Sequence, residues 1–342
     1  MHVPEIDVGP LITGRGDQRG VALEIDAACR ETGFFSIVGH GVNAGLRARL
    51  DASAREFFEL DDGEKAEIAM TRGGRAWRGW FAVGGELTSG VPDLKEGIYF
   101  GRELGPDDAR VRAGVPLHGP NLFPRRPAAL RETVLEYLDA LTGVGQAVMR
   151  GVALALGLAE DWFARELTSD PTILFRIFRY PPMANEPTAG DTGTWGVREH
   201  TDYGLLTVLL QDDTGGLEVR SRSGWLDVQT SPDAFVCNLG DMLELMTGGR
   251  YRSTPHRVRN TSDRARLSFP FFFDPGWDSM VRRIPASGAP MPSSPRSSAS
   301  RASLAGAPRW DGAALHDLTG TYGEYLLAKV AKVFPALGVD VL

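Results

Sequence analysis

The spacing of apolar residues predicts mainly helices in the first half of the chain. Residues 21–32 and 127–158 carry apolar side chains at the three-to-four-residue interval of an amphipathic helix. Asn43 is typical of a helix N-cap and predicts a further helix that ends near Leu60. Just before it, the apolar run 34–38 has the composition of a strand. This half is therefore predicted to contain helices and a short strand.

The pattern changes after Pro171, where short β-like runs alternate with turns rich in Gly, Asp and Ser. Many short strands at this spacing predict a jelly roll or barrel of two sheets and argue against a parallel α/β sheet. An amphipathic helix is predicted near the end of the chain, at 322–333. The predicted strands are 173–180, 205–211, 217–220, 225–228, 235–239, 257–259 and 267–273.

Two segments lack a regular pattern. Residues 73–124 are rich in Gly and Pro, so we expect an ordered loop there. Long loops of this kind often carry function. Residues 285–308 consist mainly of Pro, Ser, Ala and Gly, a composition that predicts a mobile loop.

The composition allows a large buried core and limits the classes of partner. Of the 342 residues, 42% are hydrophobic, and the net charge of −7 leaves no general basic surface for nucleic acid. The chain shows no signal-peptide pattern and no stretch suited to a membrane. Cys29 and Cys237 lie far apart in apolar runs, which argues against a disulfide framework. We expect a cytoplasmic protein, a monomer or weak homo-oligomer, that acts on a small molecule without nucleic acid or membrane partners.

The strongest chemical signal is the pair His200 and Asp202, with His256 following 54 residues after the aspartate. In an extended segment, residues two apart point to the same face, so this pair can face one pocket. A neighbouring strand can add His256. Two imidazoles and one carboxylate suit Fe(II) and leave coordination positions open for oxygen chemistry. A bare H-x-D pattern also occurs in hydrogen-bonded pairs without a metal, so this signal does not decide the matter alone.

A second pair of residues points to the same pocket. Arg266 and Ser268 follow His256 by ten and twelve residues and share a strand face. A guanidinium is a bidentate donor to a carboxylate, and a hydroxyl adds a further donor. Taken singly, Arg266 can be an interior ion pair and Ser268 a small strand residue. A buried guanidinium beside Leu267 and Phe269 needs an anionic partner, and a bound 2-oxoglutarate would be one.

With these residues in place, the sequence resembles the 2-oxoglutarate- and Fe(II)-dependent dioxygenase superfamily, and within it the isopenicillin N synthase-like group. The likeness extends over nearly the whole chain. In the N-terminal part it is carried by Val3-Pro4-Glu5-Ile6-Asp7, Cys29-Arg30-Glu31-Thr32-Gly33-Phe34-Phe35 and His40-Gly41-Val42. In the core it is carried by Arg179-Tyr180-Pro181-Pro182, His200-Thr201-Asp202-Tyr203-Gly204, Asn238-Leu239-Gly240-Asp241, Ser253-Thr254-Pro255-His256-Arg257-Val258 and Arg266-Leu267-Ser268.

The resemblance implies a mainly β fold with flanking helices. Its core would be a distorted double-stranded β-helix, or jelly roll, with a helical N-terminal region and a C-terminal helix. Residues 1–125 would form the N-terminal dioxygenase region, and 126–342 the catalytic region with its backing helix. The iron- and 2-oxoglutarate-binding core would span about 171–275, and the two regions would make one compact unit.

The resemblance also implies an activity and its residues. The chain would use Fe(II), O₂ and the co-substrate 2-oxoglutarate to hydroxylate or desaturate a small molecule, in secondary metabolism, with release of succinate and CO₂. The implied iron ligands, and thus the catalytic centre, are His200, Asp202 and His256. The implied contacts of the far carboxylate of 2-oxoglutarate are Arg266, Ser268 and Tyr180. The chain departs from the family at Phe178, where plant members often carry Asn.

The segment that begins at Gly79 resembles bacterial members more closely, including the ethylene-forming enzymes. Arg176 falls at an arginine of those enzymes and is a candidate substrate contact. Glu86 and Thr88 are further candidates, although solvated loop positions are an equal alternative for both. The acidic Glu86 suggests a cationic or amino-acid-like substrate.

Two other functions remain open from the sequence. An oxidase like isopenicillin N synthase would need no 2-oxoglutarate, because that enzyme uses the same Arg and Ser for the carboxylate of its substrate. A non-catalytic jelly-roll module could bind a ligand or a structural metal through the same three side chains. An open site beside an arginine is, however, unsuited to a purely structural ion.

Overall fold

The structure is a computed structural model that describes residues 3–182, 195–229, 231–284 and 320–333. The mobile loop predicted at 285–308 lies outside these residues. Within them, no helix combines the length and the apolar character needed to cross a membrane.

The N-terminal region combines helices with strands. The two longer helices begin at side-chain caps: Asp17 accepts a hydrogen bond from Gly20 N, and Asn43, the predicted cap, accepts from Gly45 N and Leu46 N. The predicted strand 34–38 is confirmed. In chain order, the elements are β1 (Glu5–Asp7), α1 (Gly9–Thr13), α2 (Gln18–Glu31), β2 (Phe34–Val38), α3 (Ala44–Phe58) and α4 (Asp62–Lys65), followed by short 3₁₀ turns between 66 and 76.

The prediction that 73–124 lacks regular elements is wrong. This segment contains β3 (Gly79–Phe81), β4 (Leu87–Thr88), β5 (Val91–Pro92), β6 (Glu96–Gly101) and α5 (Ala109–Arg112). Every residue of β6 is buried, so the strand shows none of the apolar–polar alternation that marks a half-exposed strand. The glycine at 97 lies where a Cβ would come within 2.6 Å of the Phe178 ring. Its glycine therefore reflects close packing on a neighbouring strand and not a loop.

The second half follows the predicted pattern of one long helix and then many strands. The long helix packs on α2 and α3 and against the sheet. The elements are α6 (Leu130–Ala155), α7 (Trp162–Glu166), β7 (Thr172–Tyr180), β8 (Val197–His200), β9 (Leu206–Gln211), β10 (Leu217–Ser221), β11 (Gly224–Asp227), β12 (Phe235–Leu239), α8 (Asp241–Met246), β13 (His256–Val258), β14 (Arg266–Asp274) and α9 (Tyr322–Val333).

Two sheets of the described chain enclose the interior, as in the predicted jelly roll. The main sheet has the strand order β1-β2-β12-β9-β14-β7-β6-β3, and the second has the order β11-β10-β13-β8. Strands β4 and β5 pair separately as a hairpin. One face of the main sheet packs against α6, where a Cβ at Gly145 would lie 2.6 Å from the Phe273 ring. The other face, together with the second sheet, lines a deep cavity.

Candidate metal centre and its cavity

Pairing of β8 with β13 brings the three predicted metal ligands together. His200 ends β8 and lies opposite His256, the first residue of β13, while Asp202 follows β8 by two residues. Asp202 Oδ1 is 3.9 Å from His200 Nε2 and 3.7 Å from His256 Nε2. The three ligand atoms lie within 4.8 Å of one another, a cluster that can hold one metal ion. Two imidazoles with one carboxylate match the donor set of non-haem iron sites.

Backbone carbonyls orient both histidines toward this point. The Nδ1 of His200 lies 2.8 Å from Arg198 O, and the Nδ1 of His256 lies 3.1 Å from Thr254 O. A carbonyl oxygen only accepts, so each Nδ1 donates and each Nε2 keeps its lone pair for a metal. Burial lowers the pKa of His200 below its ordinary value, and burial together with the neighbouring His200 lowers the pKa of His256 to about 4. Both rings are therefore neutral, which is the metal-binding form, at neutral pH.

The Asp202 carboxylate is held by one of its two oxygens. Its Oδ2 accepts hydrogen bonds from Thr207 Oγ1 at 2.5 Å and from Asn238 Nδ2 at 2.7 Å. The other oxygen, Oδ1, is the one that approaches the two histidines. Burial alone would raise the pKa of Asp202, but the histidines and these two donors hold it below its usual value. The sequence did not single out Thr207, because its contact depends on the pairing of separate segments.

The backbone of the metal-binding loop is also fixed. The N–H of Asp241, at the start of α8, donates to Asp202 O at 2.8 Å, and the N–H of Met242 donates to Tyr203 O at 3.1 Å. Gly240 allows this contact, because a Cβ there would lie 2.3 Å from Gly204 O. The motif Asn238 to Asp241 thus supports the loop through both its side chain and its backbone.

Arg266 lines the same cavity and leaves one guanidinium nitrogen unpaired among the described residues. It is completely buried, and its guanidinium donates from Nε to Gly215 O (2.5 Å) and from Nη2 to Gln211 Oε1 (3.0 Å). Its Nη1 is buried without a hydrogen-bond partner in the described part of the chain. Ser268 Oγ donates to the Tyr180 hydroxyl at 3.4 Å, on the strand that pairs with β14. An orphaned guanidinium nitrogen beside two hydroxyls fits the carboxylate of a dicarboxylic co-substrate.

A single cavity of about 610 Å³ collects all of the predicted site residues. They reach it because alternate residues of a strand point to one face, so 176, 178 and 180 of β7 and 266 and 268 of β14 face inward. The predicted residues that line it are His200, Asp202, His256, Arg266, Ser268, Tyr180, Glu86, Thr88 and Arg176.

The three candidate substrate contacts differ in how they are paired. Glu86 accepts a hydrogen bond from the Tyr99 hydroxyl at 2.6 Å and lies 3.0 Å from Lys95 Nζ. Thr88 donates to Asp93 at 2.8 Å. Arg176 stacks on Tyr99, with its guanidinium carbon 3.4 Å from the ring centre. Glu86 and Thr88 are therefore part of an internal polar network and not solvated loop positions.

Lys95 is a site residue that the sequence analysis missed. Its ammonium group is buried between two carboxylates, 2.5 Å from Asp93 Oδ2 and 3.0 Å from Glu86 Oε2, and it faces the Phe178 ring at 4.8 Å. A lysine in a Gly/Pro-rich segment is normally solvated, so no local signal marked it as buried.

Comparison with known proteins identifies the family of the chain. Residues 171–275 match the 2OG-Fe(II) oxygenase superfamily, and residues 3–126 match the N-terminal region of the non-haem dioxygenases in morphine synthesis. A "Probable iron/ascorbate oxidoreductase" of Dictyostelium discoideum is 45% identical over 340 residues, covering 94% of this chain and 91% of that protein. A homoarginine-6-hydroxylase of Oryza sativa subsp. japonica is 37% identical and covers 82% of this chain and 88% of its own length.

A solved structure shows the same architecture. The crystal structure of a 2OG-Fe(II) oxygenase family protein from Caulobacter crescentus aligns with a TM-score of 0.76 and 26% identity, over 96% of this chain and 98% of that chain. The chain therefore belongs to the 2-oxoglutarate- and Fe(II)-dependent oxygenase superfamily.

Proposed function

We propose that this oxygenase hydroxylates a small amino-acid-like molecule that carries a carboxylate and a cationic group. Membership of the superfamily makes the protein an Fe(II)- and 2-oxoglutarate-dependent oxygenase of a small molecule. The proposed iron ligands are His200, Asp202 and His256, and the proposed contacts of the far carboxylate of 2-oxoglutarate are Arg266, Ser268 and Tyr180. Bound iron supplies the oxidation: one atom of O₂ enters 2-oxoglutarate, giving succinate and CO₂, and the other enters the substrate.

The environment of Arg176 is the main observation that supports a substrate with a carboxylate. This side chain lines the cavity and is only 8% exposed. Its guanidinium carbon lies 3.4 Å from the centre of the Tyr99 ring and 5.6 Å from the centre of the Phe272 ring. In the described ranges, no carboxylate forms an ion pair with it. The carboxyl group of Asp274 lines the same cavity and interacts with this charge only beyond ion-pair distance. Burying a cation without a close counterion is costly, so a substrate carboxylate is the partner that Arg176 is suited to bind.

Negatively charged side chains lie near Arg176 at the same cavity. Glu86 and Asp93 share the single ammonium group of Lys95, so the three groups carry one excess negative charge when both carboxylates are ionised, and burial raises the pKa of Asp93 toward its neutral form. A cationic substrate group near Glu86 and Thr88 would balance it. The rice relative named as a homoarginine-6-hydroxylase is consistent with this class, because homoarginine carries both charges.

Substrates that differ by one charged group test this proposal. The enzyme is supplied with Fe(II), 2-oxoglutarate and O₂ and is offered L-homoarginine, L-arginine, agmatine, which lacks the carboxylate, or L-norleucine, which lacks the side-chain cation. We expect one of the first two to give one succinate per O₂ and a product with one added oxygen atom, and the last two to give much less. Equal turnover of agmatine and L-arginine would contradict the role of the carboxylate.

Two variants on strand β7 test whether Arg176 causes the preference for a substrate with a carboxylate. Arg176→Met is expected to remove the preference for L-arginine over agmatine. Arg179→Met is the matched control, because Arg179 is on the same strand but pairs with Glu96 at 2.9 Å and is not among the residues that line the cavity. Loss of the preference in both variants would assign it to the strand and not to Arg176.

We also infer that the protein acts in the cytoplasm, as a monomer or weak homo-oligomer and without nucleic acid. The net charge of −7 supports the last point. Both cysteines are buried and free, which is consistent with a reducing compartment. Sedimentation of the purified protein at several concentrations tests the assembly state.

A further inference from the structure

The C-terminal helix α9 forms part of the cavity wall. The residues that line the cavity from this helix are Leu326, Lys329, Val330, Lys332 and Val333. At its start, Tyr322 N donates to Ser279 O at 2.8 Å and Gly323 N donates to Trp277 O at 2.9 Å. The shape of the cavity therefore depends on how the first turn of α9 is attached to the end of β14 and the segment that follows it.

The buried carboxyl group of Asp274 makes that attachment. Asp274 ends β14 and is 3% exposed. Its Oδ2 accepts a hydrogen bond from the Tyr322 hydroxyl at 2.6 Å, and its Oδ1 accepts from the N–H of Leu205 at 3.0 Å. Tyr322 is itself completely buried, so neither group has water as a substitute partner.

The same carboxylate touches the metal-binding loop. Leu205 follows Asp202 by three residues. Between them, Gly204 lies so close to the carboxylate that a Cβ would be 1.5 Å from Asp274 Oδ1. One side chain thus bridges the loop that carries a candidate metal ligand and the helix that bounds the cavity.

We propose that Asp274 is a positioning residue that fixes the helix α9 to the metal-binding loop through Leu205 and Tyr322. The link sets the distance between the cavity wall and the metal centre. Arg266, at the far end of β14, takes no part in it. Breaking the link is expected to loosen α9 while leaving the binding of Fe(II) and of 2-oxoglutarate unchanged.

Hydrogen–deuterium exchange of the full chain tests the link. In Tyr322→Phe the carboxylate loses its donor, and exchange over residues 322–333 is expected to accelerate about 10- to 100-fold. The dissociation constants of Fe(II) and 2-oxoglutarate, followed anaerobically by visible absorption, are expected to stay within about twofold. Tyr251→Phe is the matched control, because it deletes a tyrosine–carboxylate hydrogen bond to Asp26 (2.7 Å) by a residue that is not among those lining the cavity.

A conservative variant separates the hydrogen bonds from general destabilisation. In Asp274→Asn the amide oxygen can accept from Leu205 and the amide nitrogen can donate to Tyr322, so α9 is expected to remain protected. The proposal is overturned if exchange in Tyr322→Phe matches that of the wild type or of Tyr251→Phe. It is also overturned if Asp274→Asn loosens α9 as much as Tyr322→Phe does. The experiment needs no substrate, so its failure is distinct from a failure of the proposed substrate class.

Discussion

Replacing Thr207 by Val should weaken metal binding although Thr207 is not one of the three candidate ligands. The two side chains have nearly the same shape, and Thr207 is 4% exposed, so the change mainly removes one hydroxyl. That hydroxyl donates to Asp202 Oδ2 at 2.5 Å, and Asn238 is then the remaining donor to this oxygen. A hydrogen bond to a charged group contributes about 1.5–3 kcal/mol. Since 1.4 kcal/mol corresponds to a tenfold change in affinity, we expect the dissociation constant of the metal to rise about 10- to 100-fold.

The change should also alter the number of coordination positions that a metal bound at this site keeps open for 2-oxoglutarate and O₂. With Oδ2 occupied by two donors, Asp202 offers only Oδ1 to the metal. A carboxylate released from Thr207 can turn and offer both oxygens, which would compete with 2-oxoglutarate and O₂ for the open positions. The variant should therefore also show a weaker visible band for the Fe(II)–2-oxoglutarate complex at saturating iron.

Calorimetric titration with Co(II) or anaerobic Fe(II) measures this effect. Thr207→Ser restores a hydroxyl and should recover most of the affinity. Thr133→Val is a matched control, because Thr133 is a buried threonine of α6 that is not among the residues lining the cavity. A dissociation constant for Thr207→Val within twofold of the wild-type value would refute the reasoning.

Three further predictions follow from buried polar groups. Arg266→Leu should raise the KM for 2-oxoglutarate about 100-fold or more with little change in Fe(II) affinity, because a buried charged partner is lost; steady-state kinetics and metal titration check this. Burial raises the pKa of Asp274 from 3.8 to about 7, so the folded metal-free protein holds a proton that the unfolded chain releases, and stability falls as pH rises from about 4 to 7. Asp274→Asn should remove this pH dependence. The free energy of unfolding of the variant, relative to that of the wild type, should therefore rise by about 3 kcal/mol from pH 5 to pH 8, as measured by urea unfolding. Gly204→Ala should destabilise the fold by about 3 kcal/mol or more, because its Cβ would lie 1.5 Å from Asp274 Oδ1; urea unfolding with unchanged slope would show it.

The sequence predicts those helices and strands that have one buried face and one solvent-exposed face. The helix from Asn43 was predicted from its N-cap residue, and the final helix at 322–333 from the helical period of its apolar residues. Strand β6 was missed because it is buried on both faces, and its glycines at 97 and 101 suggested a loop. In the structure, Cβ atoms there would collide with Phe178 and Arg78. Glycine marks a close approach in both cases, and composition alone does not distinguish a turn from a packed strand.

The residues of the candidate site likewise include some that the sequence predicts and some that it does not. His200, Asp202, Arg266 and Ser268 were found because each pair has the two-residue spacing of a strand face, which needs no knowledge of the fold. Thr207 and Lys95 were not found, because their roles depend on contacts with other segments. Local spacing thus predicts which residues share a face, whereas hydrogen-bond partners across strands appear only once the register is known.

The charges of the cavity favour two separate anionic ligands over one. Arg266 on β14 and Arg176 on the adjacent strand β7 both line it, and within the described residues neither forms an ion pair with a carboxylate. A co-substrate bound at Arg266 satisfies only that guanidinium, since Arg266 pairs with Tyr180, which lies four residues, or about 13 Å of strand, from Arg176 along β7. A buried cation left without a counterion is costly in an empty cavity and becomes favourable when an anion arrives. A 2-oxoglutarate-dependent oxygenase with a neutral substrate would have no use for the second arginine, whereas one with a carboxylate-bearing substrate requires a group of this kind.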